Sequence, residues 1–262
     1  MLLHLLAAVE ELQPQRKVVV VGAGREQVQA AVAGHDVALA VQEHQLGTGH
    51  AVMQTHEALG HFAGDVLILY GDVPLVTAAT MRSMLDRLNQ GDEPRSVVLA
   101  FRTDNPGAYG RIVAGGQGVI EKMVEYKDAS PEERSITLCN SGLMAVRAPE
   151  LFVLLDSIGN ANAAGEYYLP DIVMLPGGPS AVIETDAEEV AGVNSRVELA
   201  EVEASWQRRR REQAMRDGAT LIAPETVFFS HDTVLGRDVV IEPNVVFGPG
   251  VTVADESIIQ AF

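Results

Sequence analysis

From Leu235 onward an apolar residue returns at every sixth position: Leu235, Ile241, Phe247, Val253 and Ile259. Each is followed by a small or polar residue, and Val239, Val245, Val251 and Ser257 stand four places after the first four. A six-residue period of this composition predicts a hexapeptide β-helix, in which three hexads close one triangular coil. The segment holds little more than one coil, whereas stacked repeats normally need about three units and a cap. It is therefore expected to leave an open stacking edge at Phe262.

Upstream the rhythm is different. Val18–Val21 is an unbroken valine run ending in Gly22-Ala23-Gly24, which predicts a strand buried on both faces. Stretches 37–41, 66–70 and 96–101 repeat that pattern, with helix-compatible segments near 25–33, 49–59 and 77–90 between them. The spacing predicts an α/β fold of βαβ units with a mainly parallel sheet, whose ligands bind at the carboxyl ends of the strands. Turn residues then punctuate short strands at 109–113 and 119–124, an expected antiparallel insertion. Helical patterns follow near 149–157 and 166–175, the second cut short by Pro176-Gly177-Gly178-Pro179. Ser195-x-x-Glu198 is a capping box that opens a long helix, and Gly218 suits its C′ position. The expected division is an α/β body over 1–194, a helix over 195–217 and the hexads over 218–262.

Charge and composition exclude several classes. The chain is 47% hydrophobic and 21% charged, enough to bury a core, so a disordered chain is excluded. Its 19 basic and 36 acidic residues give a net charge of −17, which repels phosphate backbones and argues against nucleic acid as a partner. The arginines at 208–211 share their helix with Glu198, Glu201, Glu203 and Glu212, and read as a solvated, charge-paired face. One cysteine, Cys139, permits neither an intrachain disulfide nor a Cys-based zinc site, so a cytoplasmic location is expected. The apolar start at Leu2 has no basic flank and is too short to cross a bilayer, so no membrane partner is expected.

Four groups of residues carry candidate chemistry. Gly22-Ala23-Gly24 lacks the third glycine and the acidic residue of a dinucleotide fingerprint, so a tight strand–helix turn suffices there. Gln42 to Ala51 offers two amides that could read a base edge, with Gly47 and Gly49 allowing close backbone approach; an ordinary loop capped by Thr48 is the alternative. His44, His50 and His56 match no metal-ligand spacing and read as surface or core histidines. Leu69-Tyr70-Gly71-Asp72-Val73-Pro74 delivers a carboxylate to a strand end, either as an oxygen ligand for Mg²⁺ or as the start of a turn before Pro74. Gly110, Glu125, Asn140 and Asn194 lie in short polar, glycine-bearing motifs that together could line a sugar pocket.

Taken in order, these pieces form a specific series. Gln42-x-x-Gln45-Leu46-Gly47-Thr48-Gly49-His50-Ala51, Leu69-Tyr70-Gly71-Asp72-Val73-Pro74, Tyr109-Gly110-Arg111, Glu125-x-Lys127-Asp128-Ala129, Asn140-x-Gly142, Gly165-Glu166-Tyr167-Tyr168 and Gly192-Val193-Asn194-x-Arg196, followed by hexads, closely resemble the bacterial bifunctional N-acetylglucosamine-1-phosphate uridyltransferase / glucosamine-1-phosphate acetyltransferase family. The resemblance implies a Rossmann-like nucleotidyltransferase domain, a linker helix and a left-handed β-helix, assembled as a homotrimer. It implies that UTP and N-acetylglucosamine-1-phosphate yield UDP-N-acetylglucosamine, for peptidoglycan and lipopolysaccharide, and pyrophosphate. Gln42, Gly47 and Thr48 resemble the uracil-reading loop, and Tyr70, Gly71 and Asp72 the segment touching nucleotide and sugar. Gly110, Glu125 and Asn140 resemble the acetylated-sugar contacts, while Asp72, the catalytic candidate, and Asn194 resemble the two Mg²⁺ ligands. The family also opens with a strand and an Arg- and Lys-bearing glycine-rich loop that this sequence does not contain. A gap in the sheet and impaired uridylyl transfer are therefore expected, and no acetyltransferase chemistry is assigned. Another sugar nucleotidyltransferase and a non-catalytic assembly module are the alternatives.

Overall fold

The computed structural model describes residues 1–91 and 93–261, so the terminal Phe262 of the hexad segment lies outside the described residues. The chain divides into two compact units, Met1–Ala191 and Gly192–Phe262.

In the first unit, helix α1 (Leu2–Glu10) leads to β1 (Val18–Val21), α2 (Arg25–Val32) and β2 (Ala38–Val41). Two short helices, α3 (Thr48–Met53) and α4 (His56–Leu59), replace the single helix expected near 49–59. Next come β3 (Asp65–Ile68), α5 (Ala78–Leu88), β4 (Ser96–Arg102), the hairpin β5 (Arg111–Ala114) and β6 (Ile120–Val124), and α6 (Pro131–Arg134). The unit ends with β7 (Leu138–Arg147), α7 (Ala148–Leu155), a 3-10 segment Leu169–Met174 and β8 (Ser180–Thr185).

Strand β7 organises this unit, and periodicity did not disclose it. Nine of its ten residues are buried, so no polar alternation marks it. It runs antiparallel to β4 along one edge, and to β3 and β5 along the other. Only β4 and β8 run parallel in this sheet, so it is mixed rather than mainly parallel. Alternate residues of β4 feed two cores. Val98 and Ala100 face Leu151 and Leu155 of α7, while Val97 and Leu99 face Met81, Met84 and Leu88 of α5. Thr77 starts α5 by accepting from the Thr80 amide at 3.2 Å.

The sheet does have the expected gap. Strands β1 and β2 form a separate parallel pair. Val18–Val21 and the 65–69 stretch, which includes β3, line a common cavity of about 650 Å³ with Leu2, Leu5, Leu6 and Val9. Among the described residues no strand fills that space, so only Val21 of β1 is fully buried, and Leu39 and Val41 of β2 are exposed. Burial on both faces is thus corrected for both strands.

In the second unit, α8 (Arg196–Arg216) is followed by two-residue strands β9 (Thr220–Leu221), β10 (Val234–Leu235), β11 (Val240–Ile241), β12 (Thr252–Val253) and β13 (Ile258–Ile259). Ser195 accepts from the Glu198 amide at 3.2 Å and Glu198 accepts from the Asn194 amide at 2.7 Å, so the box closes one residue earlier than its standard form. Val234 pairs with Thr252, Val240 with Ile258 and Phe228 with Val246, each parallel and offset by 18 residues, three hexads. Val239, Ile241, Phe247 and Val253 are buried, and Phe229 stacks on Phe247. Buried Gln207 uses both ends of its amide on the backbone of Phe229, at 2.8 and 2.9 Å. Arg210 and Arg211 donate to the carbonyls of Thr233 and Val227, so two of the four arginines hold the helix to the hexads rather than forming a merely solvated face. Among the described residues, no helix is long and apolar enough to cross a membrane.

Candidate functional site

Strands β5 and β3 take different parts of the same β7 edge. Arg111 pairs with Cys139, and Ile68 with Met144, so among the described residues no strand pairs with the edge at 141–143. The candidate residues gather around this opening. Tyr70 leaves β3 and lies against Gly142, where an added Cβ would come within 2.4 Å of the ring. Gly142 has φ +87° and donates its amide to Asn140 Oδ1 at 2.9 Å. The Asn140 amide donates to the Gly110 carbonyl at 2.9 Å, and the Glu125 carboxylate lies over Gly110. Asn140, Gly110, Glu125 and Tyr70 thus form one continuous wall.

The Gln42–Gly49 loop approaches this wall at Thr48, whose side chain is near enough to the Tyr70 phenol to act on its titration. Thr48 does not cap α3; Gly47 occupies the cap position, and Thr48 Oγ1 accepts from the Leu169 amide at 3.0 Å. Two backbone bonds complete the strap, Tyr167 N–H to Leu46 and Gly49 N–H to Tyr167, both 2.8 Å. Gln42 is buried, and its Nε2 meets the Gly47 carbonyl at 3.1 Å and His50 Nδ1 at 3.0 Å. His50 therefore orients an amide rather than holding a metal, and His56 packs edge-on against Phe152.

Burial, opposed by the nearby Thr48 hydroxyl and reinforced by Glu125 and Asp72, pushes the Tyr70 phenol up to about 12. It stays a neutral donor at physiological pH. Burial, then Asp171 and Asp128, pushes the Glu125 carboxyl above the usual carboxylate range. The folded state consequently holds the Glu125 proton more tightly than the unfolded chain, and stability falls as pH rises from the ordinary carboxylate range through that raised value. Glu125→Gln is expected to raise the melting temperature by about 2–4 °C at pH 7 and to give no gain below that window. Calorimetric scans at both pH values check this, and an equal shift at each would contradict it.

Half-buried Asp72 follows Gly71 in the turn after β3, and its side chain makes no hydrogen bond among the described residues. Gly71 is exposed, and only Leu2 Cδ1, at 3.9 Å, would touch an added Cβ. Asn194 lies in the second unit, exposed, its carboxamide likewise without a hydrogen bond among the described residues. No group of three or more His, Cys, Asp or Glu among the described residues could hold a metal ion. Sequence reasoning missed Asp171 and the amide-orienting role of His50. Gly165-Glu166-Tyr167-Tyr168 flagged the strap, but backbone atoms do its work. Gly22–Gln27, set aside as a dinucleotide site, lines a cavity of about 460 Å³ with Gln42, Glu43 and Gln45, and Gly22 and Gln42 also line the larger cavity.

Residues 1–137 match the MobA-like NTP transferase domain. The chain belongs to that family. Residues 232–262 match the bacterial transferase hexapeptide of six repeats. Among curated relatives, "Bifunctional protein GlmU" of Rhizorhabdus wittichii is 66% identical over 92% of this chain and 54% of its own length. Its counterpart from Sphingopyxis alaskensis is 60% identical over 100% of this chain and 58% of its own. The chain spans a little over half the length of these relatives. Two solved structures share the fold at 15% identity. CMP:2-keto-3-deoxy-manno-octonic acid synthetase, complexed with CTP, has a TM-score of 0.59 over 79% of this chain and 88% of its own. UDP-glucose pyrophosphorylase, complexed with UDP-glucose, has 0.57 over 80% and 87%.

Proposed function

We propose that the first unit carries a uridylyl-transfer site, at which N-acetylglucosamine-1-phosphate attacks the α-phosphorus of UTP to give UDP-N-acetylglucosamine and pyrophosphate. The supporting observation is the unbroken series of contacts from Gln42 through Thr48, Tyr70 and Asn140 to Glu125. It gives a base-reading end and a sugar-reading end to one surface, as the GlmU relatives and the UDP-glucose and CTP complexes of the shared fold suggest.

The chemistry of the Gln42 amide supports uridine in particular. Its Nε2 is committed to the Gly47 carbonyl, which leaves Oε1 as an acceptor. An acceptor suits the N3–H of uracil and repels the unprotonated N3 of cytosine. At the other end, neutral Tyr70 and raised Glu125 supply hydroxyl partners for a sugar.

The charges that raise Tyr70, Glu125, Tyr168 and Asp171 belong to carboxylates, although Arg16 and Lys17 line the same cavity as Tyr70 and Asp72. These carboxylates favour entry of a triphosphate together with a counter-cation. In the first unit the uncommitted Asp72 carboxylate is an oxygen donor that fits Mg²⁺, while Asn194, the second donor that the resemblance implies, belongs to the second unit. Bound there, Mg²⁺ would neutralise phosphate charge and polarise the α-phosphorus. Asp72, Thr48 and Tyr70 keep nucleotide and sugar phosphate in line, and no covalent nucleophile is required. In the second unit, the 18-residue offsets support a left-handed β-helix, and the outward Phe228, Val246 and Ile258 support association of copies as a trimer.

The test is calorimetry with UDP-N-acetylglucosamine and Mg²⁺, beside the cytidine analogue. Binding is expected for the uridine ligand alone, and Gln42→Ala should weaken it about tenfold or more, the loss of a base-edge hydrogen bond. Absence of heat with either nucleotide would leave an assembly module as the function. Turnover with UTP is expected to be low, because the site's own charges oppose the triphosphate.

A further inference from the structure

Arg95 immediately precedes β4 and is 5% exposed. Its guanidinium donates to the carbonyls of Ile172 at 3.1 Å, Val173 at 3.3 Å and Pro176 at 2.8 Å, and to that of Leu175. Its own amide donates to the Pro179 carbonyl at 2.9 Å. These acceptors are the end of the 3-10 segment Leu169–Met174 and the Pro-Gly-Gly-Pro return that follows it. A helix end leaves carbonyls without partners, and Pro176 and Pro179 have no N–H to offer them. Gly177 and Gly178, at φ +122° and +149°, turn the chain tightly around the arginine. The segment's own cap is one long bond, from the Leu175 amide to the Ile172 carbonyl at 3.4 Å, and the guanidinium supplies the remaining donors.

The same segment begins at the nucleotide loop. Leu169 donates to Thr48 Oγ1, and Tyr167 exchanges backbone hydrogen bonds with Leu46 and Gly49. Leu169 and Ile172, between the two ends, are completely buried. We propose that Arg95 is a positioning residue for the Leu46–Gly49 loop, acting through the 167–176 segment that it fixes at the far end. Its consequence for ligands rests on the uridylyl-transfer reading above; its consequence for the loop does not.

The experiment uses Arg95→Leu and Arg95→Lys in the full chain. Without ligand, the amides of Gly49, Tyr167 and Leu169 are expected to exchange about tenfold faster or more in Arg95→Leu, with β7 amides unchanged, because opening is local. Arg95→Lys, which restores one charge-assisted donor, should recover part of that protection. Should Arg95→Leu fail to fold, Arg95→Lys carries the test, with a smaller increase confined to the same three amides. Unchanged exchange at these amides, or equal acceleration in β7, overturns the proposal. With UDP-N-acetylglucosamine, affinity should fall about tenfold in Arg95→Leu and less in Arg95→Lys. If the parent chain binds no uridine nucleotide, the functional reading fails, while the exchange data still decide the role of Arg95.

Discussion

Replacing Arg111 with leucine is expected to destabilise the first unit by about 3–5 kcal/mol, a large share of the roughly 5–15 kcal/mol that holds a domain together. Arg111 is 2% exposed. Among the described residues, no carboxylate lies within ion-pair distance of it. Its donors go to the carbonyls of Pro106, Gly107, Tyr109 and Arg134, and its guanidinium lies beside the Tyr126 ring, which Arg134 also approaches. Leucine would strand those carbonyls, at about 1–3 kcal/mol for each one that water fails to reach. Exposure of Gly107 and Tyr109 lets water recover part of the loss, which sets the estimate below the full sum. Arg111→Lys keeps the charge but not the planar fork, and should fall between. The single tryptophan, Trp206, lies in the second unit. Urea unfolding followed by hydrogen exchange in β7 should show the shift while Trp206 fluorescence keeps its midpoint. A loss below about 1 kcal/mol would mean that water already satisfies the carbonyls.

Arg111 also marks where the sequence stops being legible. Tyr109-Gly110-Arg111 was readable only as one of several polar, glycine-bearing motifs that together could line a sugar pocket. The Arg111 guanidinium is spent on backbone carbonyls. Carbonyl acceptors leave no trace in side-chain chemistry, and the same holds for Arg95 and for the Tyr167 strap. The hexads lie at the other extreme. Their six-residue period imposes inward and outward positions directly, and Ile241, Phe247 and Val253 are buried as the period demands. Strand β7 was hidden because a strand covered on both faces has no alternation to read. The gap beside β1 was legible only through the resemblance, since nothing in Val18–Val21 shows which neighbour it lacks.

Gly47→Ala should abolish measurable binding of UDP-N-acetylglucosamine, while Gly71→Ala should weaken it without altering stability. The two glycines look alike in sequence but are required for different reasons. Gly47 has φ +109° and ψ 174°, a region essentially reserved for glycine. A Cβ there would meet the Tyr167 carbonyl oxygen at 2.6 Å and its amide nitrogen at 2.9 Å. Both are backbone atoms and cannot swing aside. Strain of about 1–3 kcal/mol, with a similar overpacking cost, is relieved only by moving the loop. That movement breaks the Gly49–Tyr167 and Gln42–Gly47 hydrogen bonds together, so the base-reading amide loses its orientation. Gly71 has an open surface and no left-handed backbone, so the fold accepts alanine there. If ligand passes against its Cα, the added methyl occupies ligand space, and affinity should fall about tenfold with the melting temperature unchanged. Calorimetry and thermal scans of both variants separate the two causes. Wild-type affinity in Gly71→Ala would remove that segment from the ligand's path, and retained binding in Gly47→Ala would show that the loop tolerates displacement.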